Sequence, residues 1–315
     1  MTINDFAKEI CRAVATRLGS HYTATVKTID KNNGLELTGI VIRHDEKEIA
    51  PLIYIDSLYS RYTTDGYPFD STVSDVISTY MAFADNSAGL PGLPDDISDY
   101  NAAKNSITLK LINTEKNRNM LEKIPHVNIL DLSAIFVYVL SMDENNTTTM
   151  TITNQHMDIW GINTDTLYQN ALTCTQKIMP YRMETIWDVM ESITGIPQDT
   201  SKETMLPAMY VLTNKWKTHG AACMLYPMLL ADFATACGSD FYIIPSSIHE
   251  LLLIPGGKNT TGPANEIADI IASVNDAQVD STEVLSYSLY KYSRKEGKIQ
   301  ILVKSSGGKG QAPAC

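Results

Sequence analysis

Residues 209–255 read MYVLTNKWKTHGAACMLYPMLLADFATACGSDFYIIPSSIHELLLIP, and this order of apolar runs and turn residues decides the fold class. Four runs of strand length, 210–213, 221–225, 241–244 and 250–254, surround one helical run at 227–237. The first two read as a hairpin over a turn that ends in His219-Gly220. The last two read as strands joined by Pro245-Ser246-Ser247-Ile248-His249. Gly238 stands where a helix closes with a left-handed residue. Connections this short exclude long parallel crossovers. The predicted class is therefore α+β, with mixed, mainly antiparallel sheets built from hairpins with flanking helices.

Outward from this stretch, the chain of 315 residues reads as three parts. An N-terminal α-β-β-β-α subdomain occupies 1–87. It has a helix over 2–18 capped by Thr2, strands at 21–29, 34–43 and 48–55, and helices at 55–63 and 71–86. The segment 87–104, with Gly89, Pro91, Gly92 and Pro94, reads as a linker. An α+β main domain fills 105–303. It opens with a strand at 106–112 and a hairpin turning at 143–147, followed by helices at 155–160, 164–178 and 183–194. Beyond 255 come a helix over 262–275 and strands at 284–292 and 298–303. Residues 304–315 read as a disordered tail.

Composition narrows the classes of function. No run approaches the roughly 18 apolar residues of a membrane span. The first helix mixes Asp5, Lys8, Glu9, Arg12 and Arg17 into its apolar positions, so a cytoplasmic location is expected and no membrane contact. The five cysteines form no CxxC pair, which leaves zinc and disulfide readings without support. The net charge is −11, and between Tyr62 and Ala103 seven Asp occur without one Lys or Arg. An acidic surface repels phosphates, so direct nucleic-acid binding is not expected. The stretch reads either as a solvated face or as an acidic mimic that docks a basic factor.

Three segments together resemble the uncharacterised bacterial family known as domain of unknown function 5688, found in Firmicutes. They are NTEKNRNMLEKIPHVNILDLSAIFVYVL, TITNQHMDIWGI and the stretch from YVLTNKWKTHG to HELLLIP; KNNGLELTGIVIR and VLSYSLYKYSRKEGKI also fit. The resemblance spans about 3 to 300. It implies an intracellular bacterial α+β protein and carries over no activity and no catalytic residue.

The residues that could carry chemistry sit at the joints of 209–255. Ser246, Ser247, His249 and Glu250 place nucleophile and base types on one turn. A hydrolase also needs an orienting third group and an oxyanion hole, and no GxSxG elbow occurs. The plainer reading is that the serines satisfy backbone groups of a tight turn. His126, Asp131, His156, His219, His249 and Glu250 show no recognised ligand spacing, so neither a metal nor a cofactor is expected. The glycines and lysine of GGKNTTG at 256–262 stand in the wrong order for a phosphate loop.

Asn214, Lys215, Trp216, Lys217 and His219 form a turn with two cations and a tryptophan that reads either as exposed, a composition suited to binding, or as folded back on the core. Asn113, Glu115, Asn117 and Arg118 read as a helix cap with a pair. The expected function is a non-enzymatic intracellular protein that binds another macromolecule, a protein partner. The alternatives are a hydrolase or small-ligand enzyme using Ser246, Ser247, His249 and Glu250, and an acidic inhibitor of a nucleic-acid-binding factor.

Overall fold

The structure is a computed structural model, and it describes residues 1–46, 50–86, 95–143, 147–195, 209–245, 247–256, 275 and 279–304. Ser246, the helix expected over 262–275 apart from Asn275, the loop 257–262 and the tail 305–315 lie outside the described residues. The chain divides into two compact units, Met1–Asp95 and Asp96–Cys315.

The first unit orders α1 (Ile3–Leu18), β1 (Tyr22–Asp30), β2 (Glu36–His44), β3 (Leu52–Tyr54), α2 (Asp56–Thr64) and α3 (Phe69–Asn86). Thr2 caps α1 through a reciprocal box with Asp5: the Asp5 amide donates to Thr2 Oγ1 at 3.2 Å, and the Thr2 amide to the Asp5 carboxylate at 3.4 Å. Phe6, Ile10 and Val14, spaced by helical turns, are buried and pack on the sheet's inner residues Ile40, Ile42 and Ile53. The three strands form an antiparallel sheet in the order β1-β2-β3. The third is shorter than the expected 48–55.

The second unit begins with α4 (Tyr100–Ala103), β4 (Ile107–Asn113), α5 (Arg118–Leu121), β5 (His126–Ile129), β6 (Leu132–Met142) and β7 (Thr147–Thr151). There follow α6 (Asn154–Trp160), α7 (Thr164–Ile178), β8 (Tyr181–Thr185), α8 (Ile186–Thr194), β9 (Tyr210–Asn214), α9 (Leu229–Cys237), β10 (Phe241–Ile244), β11 (Leu251–Pro255), β12 (Leu289–Ser293) and β13 (Lys298–Val303). Two antiparallel sheets result. One is β4-β6-β5 with β7 also on β6; the other runs β13-β12-β10-β11-β9-β8. A continuous core joins Leu109 and Phe136 of the first sheet to Leu212, Leu253 and Tyr290 of the second. Burial on the scale of such large side chains stabilises by about 1.5–3 kcal/mol apiece.

Three expectations are corrected. Residues 221–225 are not a strand paired with 210–213. Gly220–Leu225 is a 3₁₀ turn, because β9 already carries β11 on one side and β8 on the other. The helix expected over 183–194 begins only at Ile186. Tyr181–Thr185 is an edge strand, and Thr185 caps the helix by accepting from the Asp188 amide at 3.1 Å. The final strands start at Leu289 rather than 284, Val284 making only an isolated bridge to Ser247.

Candidate functional site

The 214–220 turn is built around one side chain. Asn214 closes β9 and is 1% exposed. Its Oδ1 accepts from the Trp216 amide at 2.9 Å, and its Nδ2 donates to the Thr218 carbonyl at 2.7 Å. The Lys217 amide returns to the Asn214 carbonyl at 3.0 Å. Lys217 and His219 take left-handed φ values of 51° and 53°. The body of the unit holds the turn from outside: the Lys215 amide donates to the Pro180 carbonyl at 2.9 Å, and Trp216 Nε1 to the Ile178 carbonyl at 2.9 Å. Of the two expected placements of the tryptophan, the exposed one is set aside, since Trp216 is half-buried with its ring held by Ile178. Lys215 and Lys217 are the exposed members, and Lys215 Nζ lies 4.7 Å from the Trp216 ring centre.

The 245–250 turn lies directly against this one. The Ala221 amide donates to the Ile248 carbonyl at 3.2 Å, and Thr213 Oγ1 to the His249 carbonyl at 2.8 Å. Gly220 allows the approach: a Cβ there would meet Thr213 Oγ1 at 2.2 Å and the His249 carbonyl at 2.3 Å. The His219 and His249 rings stack with centroids 6.1 Å apart. His249 Nδ1 accepts from the His219 amide at 3.3 Å, which leaves the ring proton on Nε2, 3.4 Å from Glu283 Oε1. His219 is buried and its Nδ1 has no hydrogen-bond partner. Burial first, then the Lys110 cation and the neighbouring His249 ring, hold its pKa well below the usual histidine range.

Ser247 and His249 are not arranged as a nucleophile and its base. Ser247 Oγ accepts from the His249 amide at 3.0 Å, as a serine does when it closes its own turn. The imidazole faces His219 and Glu283 instead. Glu250 is exposed. Among the described residues no three His, Cys, Asp or Glu side chains converge in a metal shell.

Sequence reading missed a second polar node. Ser286, Ser288 and Tyr290 all donate to the Asp131 carboxylate, the serines at 2.7 and 2.9 Å. The tyrosine is buried, and burial with the adjacent carboxylate pushes its hydroxyl far above the usual tyrosine range. Asn113 Nδ2 donates to the Leu285 carbonyl at 3.1 Å and Asn117 Nδ2 to the Asn113 carbonyl at 2.8 Å. The expected cap is present, the Lys116 amide donating to Asn113 Oδ1 at 3.0 Å, so Asn113 both caps and bridges segments, and Glu115 and Arg118 pair at the surface as expected. The signal was present in the period of two that sets Ser286, Ser288 and Tyr290 on one side of an extended chain.

A profile of a family of unknown function, DUF5688, matches residues 3–294. The chain belongs to this family. No curated protein and no solved structure matches it.

This DUF5688 chain also has a cleft of about 920 Å³, walled by Pro180, Tyr181, Met183, Tyr210 and Phe233, and none of its lining residues belongs to either turn. Three Asp of the stretch 62–103 have partners among the described residues. Asp70 pairs with Arg17 at 2.9 Å, Asp75 with Arg61 at 3.6 Å, and Asp99 accepts from the Asn101 amide at 2.9 Å. No described helix is long and apolar enough to cross a membrane.

Proposed function

We propose that this DUF5688 protein binds a protein partner, and that the 214–220 turn is its recognition element. The observation that carries the reading is the state of the turn. Every backbone amide from Lys215 to Lys217 has an acceptor, Trp216 is anchored at both its amide and its ring, and two lysines alone face outward. A turn already fixed loses little conformational entropy on association, which favours recognition. The neighbouring Ser247 and His249 are engaged in holding the two turns together, which favours binding over hydrolysis. The free thiols of Cys11, Cys174 and Cys223 are buried, and burial pushes their pKa values up to about 11, about 11 and about 12. Unpaired, unreactive thiols suit a reducing bacterial cytoplasm. The pairing of Asp70 and Asp75 with arginines weakens the acidic-inhibitor reading, and direct nucleic-acid binding is no part of this proposal.

Quantitative affinity capture from the host cell tests it, using the full-length chain and the double variant Lys215→Glu/Lys217→Glu. Both lysines are exposed, so the fold is retained. The expected result is a small set of proteins captured by the natural chain and lost from the variant. Equal capture by both chains contradicts the assignment.

A further inference from the structure

The sheet of Met1–Asp95 has two faces of opposite character. One parity, including Ala24, Val26, Ile40, Ile42 and Ile53, packs on the helices. The other runs from the Thr23/Arg43 pair through Thr25/Val41 and Lys27/Gly39 to Ile29/Leu37, and β3 sets Leu52 beside Val41 and Tyr54 beside Gly39. Among the described residues of the three strands, no carboxylate belongs to this second face. The unit carries eight Lys or Arg against thirteen Asp or Glu, so a face holding cations alone departs from its composition.

Lys27 and Arg43 are exposed there. Lys31, just past β1, sets Nζ 4.5 Å from the centre of the Tyr54 ring. Between the cations runs an apolar strip. Ile29, Leu37, Val41 and Leu52 are half-buried, and Tyr54 is 37% exposed. Gly39 keeps the strip continuous, because a Cβ there would come within 2.6 Å of Leu52 Cδ1. Leu52 thus lies across the middle strand.

We propose that this face docks an acidic, amphipathic segment of a partner protein, with apolar side chains on the strip and carboxylates on Lys27, Lys31 and Arg43. Charge complementarity selects an anion. The strip selects a chain that brings apolar side chains. A single-stranded nucleic acid binds by stacking successive bases on several rings. Tyr54 is the one ring on the described outer face, and Lys31 already covers it. This surface is independent of the 214–220 turn, so its failure leaves that reading standing.

The test uses the full-length chain and a labelled short peptide alternating glutamate and leucine. The comparators are a lysine–leucine peptide, an oligothymidine strand and phosphatidylserine vesicles. The acidic peptide is expected to bind, to weaken as salt rises, and to weaken by about tenfold or more in Lys27→Glu/Arg43→Glu. The milder Lys27→Gln/Arg43→Gln guards against a folding effect and should weaken binding in the same direction. Lys215→Glu/Lys217→Glu should leave this peptide bound. Methyl resonances of Ile29, Leu37, Val41 and Leu52 should shift on binding. Absence of acidic-peptide binding, silent methyls, or tighter charge-dependent binding of the oligonucleotide or the vesicles overturns the proposal.

Discussion

His219 pairs a costly environment with a strained backbone. Its ring is buried with an unpartnered Nδ1 and its φ is 53°. The groups set against it are the Lys110 cation on β4 and the His249 ring on the facing turn, with Glu283 on the far side of His249. Both causes of its shift disfavour the imidazolium. The folded pKa therefore lies below the unfolded value, and the unfolded chain binds the extra proton. Stability is fully present above the unfolded histidine value of about 6.5 and is lost as pH falls below it, by at most about 1.4 kcal/mol per pH unit for one proton. Asparagine tolerates the left-handed conformation and does not titrate in this range. Urea unfolding of natural chain and His219→Asn between pH 7.5 and 5 should show the smaller acid loss in the variant. Equal slopes contradict the assignment of this residue.

At the level of elements, local signals were legible and distant partners were not. The capping box of α1, the β6–β7 hairpin and the β10–β11 pair each rest on residues close together in sequence. Gly220–Leu225 misled because Ala221, Ala222 and Cys223 are all buried, and a run buried on every side has no period to read. The edge strand Tyr181–Thr185 misled for a related reason. Its last three residues, Met183, Glu184 and Thr185, are all half-buried and run straight into the helical pattern, which absorbs them. The joints of the candidate site were legible as turn residues. Their neighbours Lys110 and Glu283 were not, since contact with them depends on how strands from separate sheets meet.

The Asp131 node shows the same limit, its three donors lying 155 to 159 residues away. It ties β12 and the segment before it to the turn ahead of β6. Tyr290→Phe removes one donor and leaves Asp131 its two serines, so a loss of about 1–3 kcal/mol is expected. Denaturant unfolding reads it directly. An unchanged midpoint means that the node does not fasten these elements.

At the scale of the molecule, each unit has its own buried core, and the polar groups at the joints of the second unit serve that core before any ligand. The 214–220 turn hangs from the end of α7, the start of β8 and the 245–250 turn at once. Its opening is thereby coupled to the unfolding of the whole unit, which separates it from an ordinary surface loop. Amide hydrogen exchange on the full-length free chain reads that coupling. The amides of Lys215, Trp216, Lys217 and His219 should be protected to nearly the same degree as Leu212 in the core strand. They should lose that protection in Asn214→Ala while Leu212 keeps its own. Exchange of these four amides at the rate of unstructured chain in the natural protein would contradict a turn fixed before its partner arrives.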